Sequence, residues 1–481
     1  MSESERRSTQ GVEYENVGTD YMEQRQLQKG AAGWVLLAGL GVAYVISGDF
    51  AGWNFGLAEG GWGGLLIATL LMGTMYATMI FALAELSSTI PTAGGGYGFA
   101  RRAMGPWGGF LTGTAILIEY AIAPAAIATF IGGYVEALIG IGGWMVYLFF
   151  YLVFVGIHIY GVGEALKVMF AITAIAVVAL IVFVVGMIPV FDPSSLFDIQ
   201  PTNAAGASAF LPFGWLGLWA TLPYGIWFFL AIEGVPLAAE ETRDPATDMP
   251  KGLIAGMMAL LVFAALILVF APGGAGSAAI QDSDNPLPLA VQEAYGGSNF
   301  LSSFVNIAGL AGLVASFFSI IFAYSRQMLA LSRAGYLPKV LSLTGRRRTP
   351  WVALIVPGVI GLIMSITGDG ARLLNIAVFG ATISYALMML SHIVLRRNEP
   401  DLERPYRTPG GVATSGVALV LAVLAVVATF IVDVRAALIM VGVYALFLLY
   451  FGLYSRHHLV AQAPEEEFAT IEKAESELAG S

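Results

Sequence analysis

The stretch Tyr44–Leu57, which reads YVISGDFAGWNFGL, decides how the chain folds. It closes the first long apolar segment, 33–57, and a membrane-spanning helix needs about 20 mostly apolar residues. Gly48 and Gly52 are weak helix formers, and the ionisable Asp49 stands between them. A carboxylate in the membrane interior costs at least ~2.5–3.5 kcal/mol, so it needs a polar cavity or a partner. The stretch therefore predicts a broken helix that lines a binding site.

The composition excludes an ordinary soluble protein. The 481 residues are 57% hydrophobic and 12% charged, with a mean hydropathy of +0.77, which is typical of a polytopic membrane protein. The chain has no cysteine, its four histidines show no metal-ligand spacing, and it carries no nucleophile motif. We therefore predict no metal, no cofactor, no catalytic residue and no enzymatic activity. The net charge of −10, without a basic domain, argues against a nucleic-acid partner.

Apolar segments predict an all-α protein with twelve membrane spans in the lipid bilayer. Lys and Arg residues fall almost entirely in the loops that share a side with the N-terminal segment, which predicts that both termini are cytoplasmic. Residues 1–30 are expected to form a cytoplasmic tail rather than a signal peptide. Residues 457–481 are expected to form a second cytoplasmic tail, and the acidic part 463–481 is expected to be solvated. The predicted spans are 33–57, 62–88, 107–138, 143–160, 163–189, 213–240, 251–272, 299–333, 351–367, 371–395, 413–432 and 436–455.

A second break is predicted in the sixth span. There Glu233 and Gly234 are followed by Pro236, which cannot donate a backbone hydrogen bond. Breaks in spans one and six are what an inverted five-plus-five repeat produces, with the two breaks facing each other at the midplane. The alternative is a structural helix kinked by proline.

Two further acids lie in predicted spans. Glu119, beside Tyr120, stands midway along the third span, and it either faces a cavity or bonds to a neighbouring helix. Glu85 lies near the inner end of span two, where we expect it to pair with a cytoplasmic arginine and to stay outside the site. Residues 285–296 predict a short outer helix acting as a lid, or an ordinary loop.

Long runs of sequence carry a resemblance to a known family. The glycine break in span one and the segments PTAGGGYGFARRAMGPWGGFLTG, AIEGVPLAAEETRDPATDMPKG and SRQMLALSRAGYLPK resemble the amino acid–polyamine–organocation transporter superfamily. More narrowly, VISGDFAGWNFGL, AELSSTIPTAGGGYGFAR and TGTAILIEYAIAPAAIA resemble the bacterial ethanolamine permeases. The resemblance implies a leucine-transporter-like fold. Its repeats would cover residues 31–190 and 191–410, and two added helices would lie in residues 411–456. It also implies secondary transport into the cell across the inner membrane by alternating access.

The resemblance also implies particular site residues. The family's unwound segments correspond to 47–52 and 231–234, and its aromatic gate corresponds to Trp227, whose alternative role is packing. Asp49 is a departure, because amino acid transporters usually hold a small neutral residue there. Ala176 is another, since some proton-coupled relatives carry a lysine at that place.

These residues lead to a substrate hypothesis. Ethanolamine is an ammonium with a hydroxyl and no carboxylate, so a fixed carboxylate suits it better than a positive helix end. We expect Asp49, seconded by Glu119 or Glu233, to bind the ammonium, and Asn54 or a freed backbone group to bond the hydroxyl. Aromatic rings would enclose the cation. The predicted aromatic lining is Phe50, Trp53, Tyr120 and Trp227.

Other functions and the coupling ion stay open. An amino acid, polyamine or choline-type carrier is the rival, whereas a receptor would bring a folded signalling domain. A proton could couple through Glu119 or Glu233, or a sodium ion could bind at Ser316 or Ser319 of span eight. Serines in packed spans more often bond their own backbone.

Overall fold

The structure is a computed structural model of the chain. It describes residues 7–9, 11–15, 17, 21, 24, 32–92, 94–161, 163–461, 463–464 and 466. For residues 7–9 and 163–167 it describes the backbone only. The greater part of both predicted tails, 1–30 and 457–481, lies outside the described residues.

The described chain is a helical bundle with three short strands. The strands are β1 (Arg7–Thr9), β2 (Val12–Glu15) and β3 (Leu459–Val460). The first eight helices are α1 (Trp34–Val45), α2 (Ser47–Phe50), α3 (Phe55–Thr89), α4 (Gly96–Ile139), α5 (Trp144–Tyr160), α6 (Gly163–Met187), α7 (Gly214–Ala220) and α8 (Leu222–Trp227). A 3₁₀ helix, Ile232–Glu241, follows α8. The remaining helices are α9 (Pro245–Ala275), α10 (Ser277–Ile280), α11 (Pro286–Tyr295), α12 (Phe300–Arg333), α13 (Trp351–Thr367), α14 (Gly370–Asn398), α15 (Val412–Val432) and α16 (Val434–Leu453). Shorter 3₁₀ turns cover Ile188–Val190, Pro193–Phe197, Lys339–Ser342 and Ser455–His457.

The helices follow the predicted apolar segments. Among the described residues, nine helices are long and apolar enough to cross a membrane. Three shorter apolar helices, Trp34–Phe50, Trp144–Tyr160 and Trp351–Thr367, lie where spans one, four and nine are predicted. Of the two alternatives for the segment 285–296, the structure has the helix, α11 at Pro286–Tyr295, and its role as a lid stays a prediction.

Helix α3 contains a bend at Gly61. Gly61 has φ 67° and ψ −179°, which is not helical, so the chain bends sharply inside α3. Residues up to Gly60 continue the first apolar segment, and the second apolar segment begins after the bend. A Cβ at Gly61 would lie 2.3 Å from the ring of Pro212, so this close packing as well as the backbone requires glycine. This bend lies between the predicted spans one and two, which end at 57 and begin at 62.

The centre of the bundle is α4, whose middle is almost wholly buried. It packs against α12 and α14 along much of its length, and α3 packs against α8 and α9. The interhelical surfaces hold the buried aromatic and aliphatic side chains of one continuous core. The candidate site lies where α2, α4, α8 and α14 meet.

The chain termini form a small sheet at one end of the bundle, which we call the terminal face. Strand β1 pairs antiparallel with β2, and β2 pairs parallel with β3. The all-α prediction omitted this sheet. The prediction of a solvated segment over 463–481 is wrong for Ala463 and Glu466, which are buried, and the preceding Leu459 and Val460 are buried as well.

Candidate functional site

The break in the first span lies slightly later than predicted. Ser47–Phe50 form a helical turn, α2, rather than an unwound segment. Ala51 is fully extended, at φ −160° and ψ 161°, and Gly52 follows with φ 95°, a conformation that glycine adopts readily. The helix resumes at Phe55, so the unwound residues are 51–54 rather than the predicted 47–52.

The break in the sixth span also begins earlier than predicted. Helix α8 ends at Trp227, and Ala231 adopts a left-handed conformation with φ 79°, which is uncommon for a residue other than glycine. Glu233, Gly234 and Pro236 then lie inside a 3₁₀ helix. The missing backbone donor of Pro236 is compatible with this irregular helix, and of the predicted 231–234 only Ala231 has non-helical backbone.

The two breaks contact each other, as predicted. The indole Nε1 of Trp227 donates to the Ala51 carbonyl at 2.9 Å. A Cβ at Gly48 would lie only 2.4 Å from the Trp227 carbonyl oxygen, so glycine allows the two backbones to touch. Trp53 of the first break stacks on Phe228 of the second, with 5.6 Å between ring centroids. Trp227 thus joins the two breaks by a hydrogen bond as well as by its ring.

Asp49 is a buried carboxylate without a protein partner. Its side chain is 0% exposed, and neither carboxylate oxygen has a hydrogen-bond partner among the residues that the structure describes. Ser47 and Phe50 of the same turn face α12, and Gly48 faces Trp227. Helix α9 also packs against this turn. A buried, unpaired carboxylate must be neutralised by a proton or by a bound cation.

The other two acids share a tyrosine network. Tyr120 donates its hydroxyl to Glu233 Oε1 at 3.0 Å. The Tyr385 hydroxyl lies 3.1 Å from Glu233 Oε2 and 3.3 Å from Glu119 Oε1, and it accepts a hydrogen bond of 2.8 Å from Tyr76. A hydroxyl has a single proton, so Tyr385 can donate a hydrogen bond to only one of the two carboxylates at a time. Like charges this close favour one protonated acid.

No hydrogen bond among the described residues joins Asp49 to Glu119 or Glu233. The expectation that Glu119 or Glu233 assists Asp49 in holding an ammonium stays a prediction. Tyr120 contacts Glu233 through its hydroxyl, and the role of its ring in the aromatic lining stays a prediction.

Two residues predicted for the substrate hold the first break in place. Asn54 Nδ2 donates to the carbonyls of Ile280 and Ser283 at 2.8 and 2.9 Å, while its Oδ1 accepts from the Gly52 amide at 3.1 Å. This amide ties the break to the outer loop, so it is occupied rather than free for a substrate hydroxyl. The Phe50 carbonyl accepts from Tyr134 at 2.9 Å, and the Phe50 ring packs on glycines of α12.

The two serines proposed for sodium differ in their surroundings. Ser316 Oγ donates to the Tyr44 carbonyl at 2.7 Å and lies 2.8 Å from Ser47 Oγ, so it reaches the first span. Ser319 Oγ donates to Ala315 of its own helix at 2.8 Å, which is the alternative role stated for both serines. Ala176 packs against Gly312 near this point, where some relatives hold a lysine.

Glu85 pairs with arginine as predicted. Arg396 reaches both of its carboxylate oxygens, at 2.8 and 2.5 Å, and Arg404 Nε lies 3.0 Å from Oε1. The Thr408 amide donates at 2.7 Å. Glu85 is thus a structural link between α3, α14 and the loop after α14.

Two ion pairs join α12 to the segment after the second break. Arg326 of α12 lies 2.8 Å from Glu241, and Arg333 lies 3.0 Å from Glu240, so α12 is fastened to the 3₁₀ helix of the second break. We call these two pairs the inner gate. Sequence reasoning did not identify it, nor Tyr76 and Tyr385, because arginines and tyrosines in apolar helices carry no spacing that distinguishes them from packing residues.

Comparison with known proteins agrees with this architecture. The profile of the amino acid permease family matches residues 35–454. An uncharacterized transporter of Rhizobium meliloti is 28% identical over 403 residues, which is 82% of this chain and 85% of that protein. The branched-chain amino acid permease BcaP of Bacillus subtilis is 24% identical, covering 74% of this chain and 78% of the relative. The methylthioribose transporter of Bacillus subtilis is 25% identical, with coverage of 76% and 79%.

The matched range extends over nearly all the helices, and both breaks, Asp49 and the tyrosine network lie within it. The family consists of membrane transporters, not of enzymes. The chain therefore belongs to the amino acid permease family, within the amino acid–polyamine–organocation superfamily of transporters.

Proposed function

We propose that this permease carries ethanolamine into the cell across the inner membrane by alternating access. The observation that carries the proposal is Asp49, a fully buried carboxylate at the first break with no protein partner. An ammonium ion supplies the charge and the donors that such a group lacks. Ethanolamine has an ammonium and no carboxylate, so it adds no second negative charge to the pocket.

The arrangement of the breaks supports the same proposal. The hydroxyl of ethanolamine would bond a freed backbone group of residues 51–54, since the Asn54 amide is engaged with the outer loop. Trp53 and Trp227 would cover the cation. We propose twelve spans, two inverted repeats of five, and both termini in the cytoplasm. The breaks of spans one and six meet as such repeats require.

An amino acid is the second candidate substrate. The family and the name of the Bacillus subtilis branched-chain amino acid permease favour it. In that case the helix ends at the two breaks would hold the substrate carboxylate, and Asp49 would be protonated or would bind the amino group. The relative named as a methylthioribose transporter suggests that the family's substrates are not all amino acids.

Competition for uptake separates the two candidates. Purified protein in liposomes is given radiolabelled ethanolamine together with an excess of choline, putrescine, leucine or lysine. We expect unlabelled ethanolamine to abolish the signal and leucine to leave it unchanged. Uptake of labelled leucine, with no uptake of ethanolamine, would instead establish the amino acid candidate.

Replacing Trp227 should weaken substrate binding. Trp227→Leu removes the bond to the Ala51 carbonyl and the indole face, and a cation against an indole gains on the order of 0.5–2 kcal/mol. The affinity for ethanolamine should fall by roughly tenfold, since each 1.4 kcal/mol is tenfold. The control is Trp144→Leu, because Trp144 is exposed. An unchanged affinity in Trp227→Leu would remove this residue from the site.

The coupling ion is tested by the same vesicles. The Glu119 and Glu233 pair around Tyr385 suits the uptake and release of one proton, so we expect uptake to fall when an ionophore collapses the proton gradient. Ser316 near Ser47 is the remaining candidate for sodium. Uptake that persists with ionophores and without sodium would reject both ions and favour facilitated movement or exchange.

A further inference from the structure

The terminal face contains a buried carboxylate-binding site that the proposed function does not use. Glu466, from the C-terminal segment, is 0% exposed, and its carboxylate accepts from Arg101 Nε at 2.9 and 2.8 Å. The hydroxyls of Tyr14, Tyr97 and Tyr336 donate to it at 2.8, 3.3 and 3.0 Å. Every one of these donors suits an anion, so the site is built for a carboxylate.

The donors come from distant parts of the chain. Tyr97 and Arg101 lie at the start of α4, Tyr336 follows α12, and Tyr14 is on β2. Burial and the Glu466 carboxylate hold the pKa of the Tyr14 hydroxyl well above its usual range, so it remains a donor at neutral pH. Glu466 therefore draws the N-terminal hairpin and the helix ends together.

The strands bind the same region. Strand β3 pairs with β2, and the Val460 amide donates to the Ala334 carbonyl at 3.0 Å, just after α12. Ser455 Oγ lies 2.9 and 2.8 Å from the carbonyls of Gly335 and Tyr336. We call β1, β2, β3 and Glu466 the terminal clasp.

The N-terminal segment that carries part of the terminal clasp also contacts the inner gate. Tyr21 follows β2 in the chain, and its hydroxyl donates to the Arg333 carbonyl at 2.9 Å. The Arg333 side chain pairs with Glu240 of the inner gate. The Ala32 amide, just before α1, donates to the Glu241 carbonyl at 3.1 Å. The N-terminal segment is thus fixed at the clasp and also fixed to both sides of the gate.

We propose that the docking of Glu466 on Arg101 and the three tyrosines is an autoinhibitory latch, which holds the inner gate closed until the C-terminal segment is released. The proposal rests on the proposed alternating access. A latch that binds only the closed state shifts the population toward it, and its removal shifts the population toward the open state. Breaking one side of a buried ion pair also leaves the other charge uncompensated, which favours the opened clasp.

Cysteine labelling tests the latch, because the chain has no cysteine and any introduced thiol is unique. The gate probe is Ala239→Cys, at a buried position directly before Glu240 of the inner gate. A second probe, Ala422→Cys at a buried position on α15, reports general unfolding. Labelling by a water-soluble maleimide is followed in nanodiscs with and without Glu466→Gln. Glu403→Gln, at an exposed position, is the matched control.

We expect Glu466→Gln to speed the labelling of the gate probe by about tenfold, within the usual range of coupling between sites. The probe on α15 and the Glu403→Gln control should stay unchanged. Tyr336→Phe, which loses one 3.0 Å bond, should give a smaller increase and keeps the test usable if Glu466→Gln does not fold. An unchanged rate at the gate probe, or an equal increase at both probes, would overturn the proposal. The readout needs no substrate, so it stands or fails separately from the ethanolamine proposal.

Discussion

Replacing Asp49 by asparagine should reduce the affinity for ethanolamine by a hundredfold or more. The substitution keeps the shape of the side chain and removes its charge, and the loss of a desolvated ion pair costs ~3–5 kcal/mol. Asp49 has no partner among the described residues that could take over its charge. The measurement is the concentration dependence of uptake into liposomes. Ethanolamine uptake should need a far higher concentration for half-saturation.

A matched control separates this effect from a general loss of charge. Asp401→Asn changes the same chemical group on an exposed loop after α14. We expect it to transport ethanolamine like the parent protein. A similar loss in both variants would point to surface charge rather than to a binding site.

Replacing Glu85 by glutamine should lower the stability of the protein and leave its substrate affinity unchanged. The carboxylate is buried, with 2% of the side chain exposed, and it pairs with Arg396 and Arg404. Removing one partner of a buried ionic cluster costs ~3–5 kcal/mol, because the remaining charges are left uncompensated. The unfolding midpoint in detergent should drop clearly, and calorimetry on folded protein should return the parent affinity for ethanolamine.

The contrast with Glu403→Gln makes this prediction specific. Glu403 lies exposed on the loop after α14, beside Arg404, and its substitution should leave the midpoint unchanged. If Glu85→Gln unfolded at the same temperature as Glu403→Gln, the cluster would contribute nothing to stability. If it bound ethanolamine less well, Glu85 would belong to the site after all.

The helical bundle was predictable because its signals are local. Apolar segments of sufficient length mark the helices, and glycine beside an acid marks both breaks. The exact unwound residues were not predictable. Ser47–Phe50 form a turn held by α12 through Ser316, and this contact between distant residues leaves no trace near position 47.

The site was predictable only in part for the same physical reason. Each buried acid stood out because charge is rare in an apolar segment. Tyr385 could not be distinguished from a packing tyrosine, although it links Glu119 and Glu233. Asn54 looked free in sequence, but its partners lie more than 200 residues away in the outer loop. The pairing of Arg101 with Glu466 depends on contacts between the two ends of the chain.

Calorimetry of purified, folded protein tests most directly whether Asp49 holds a substrate ammonium. Ethanolamine is titrated into the parent protein and into Asp49→Asn under identical conditions. We predict a measurable binding isotherm for the parent and an affinity at least about a hundredfold lower for the variant, corresponding to the loss of a buried charge partner. Equal affinities would contradict the account, and the tyrosine-bound pair Glu119 and Glu233 would then be the ammonium site.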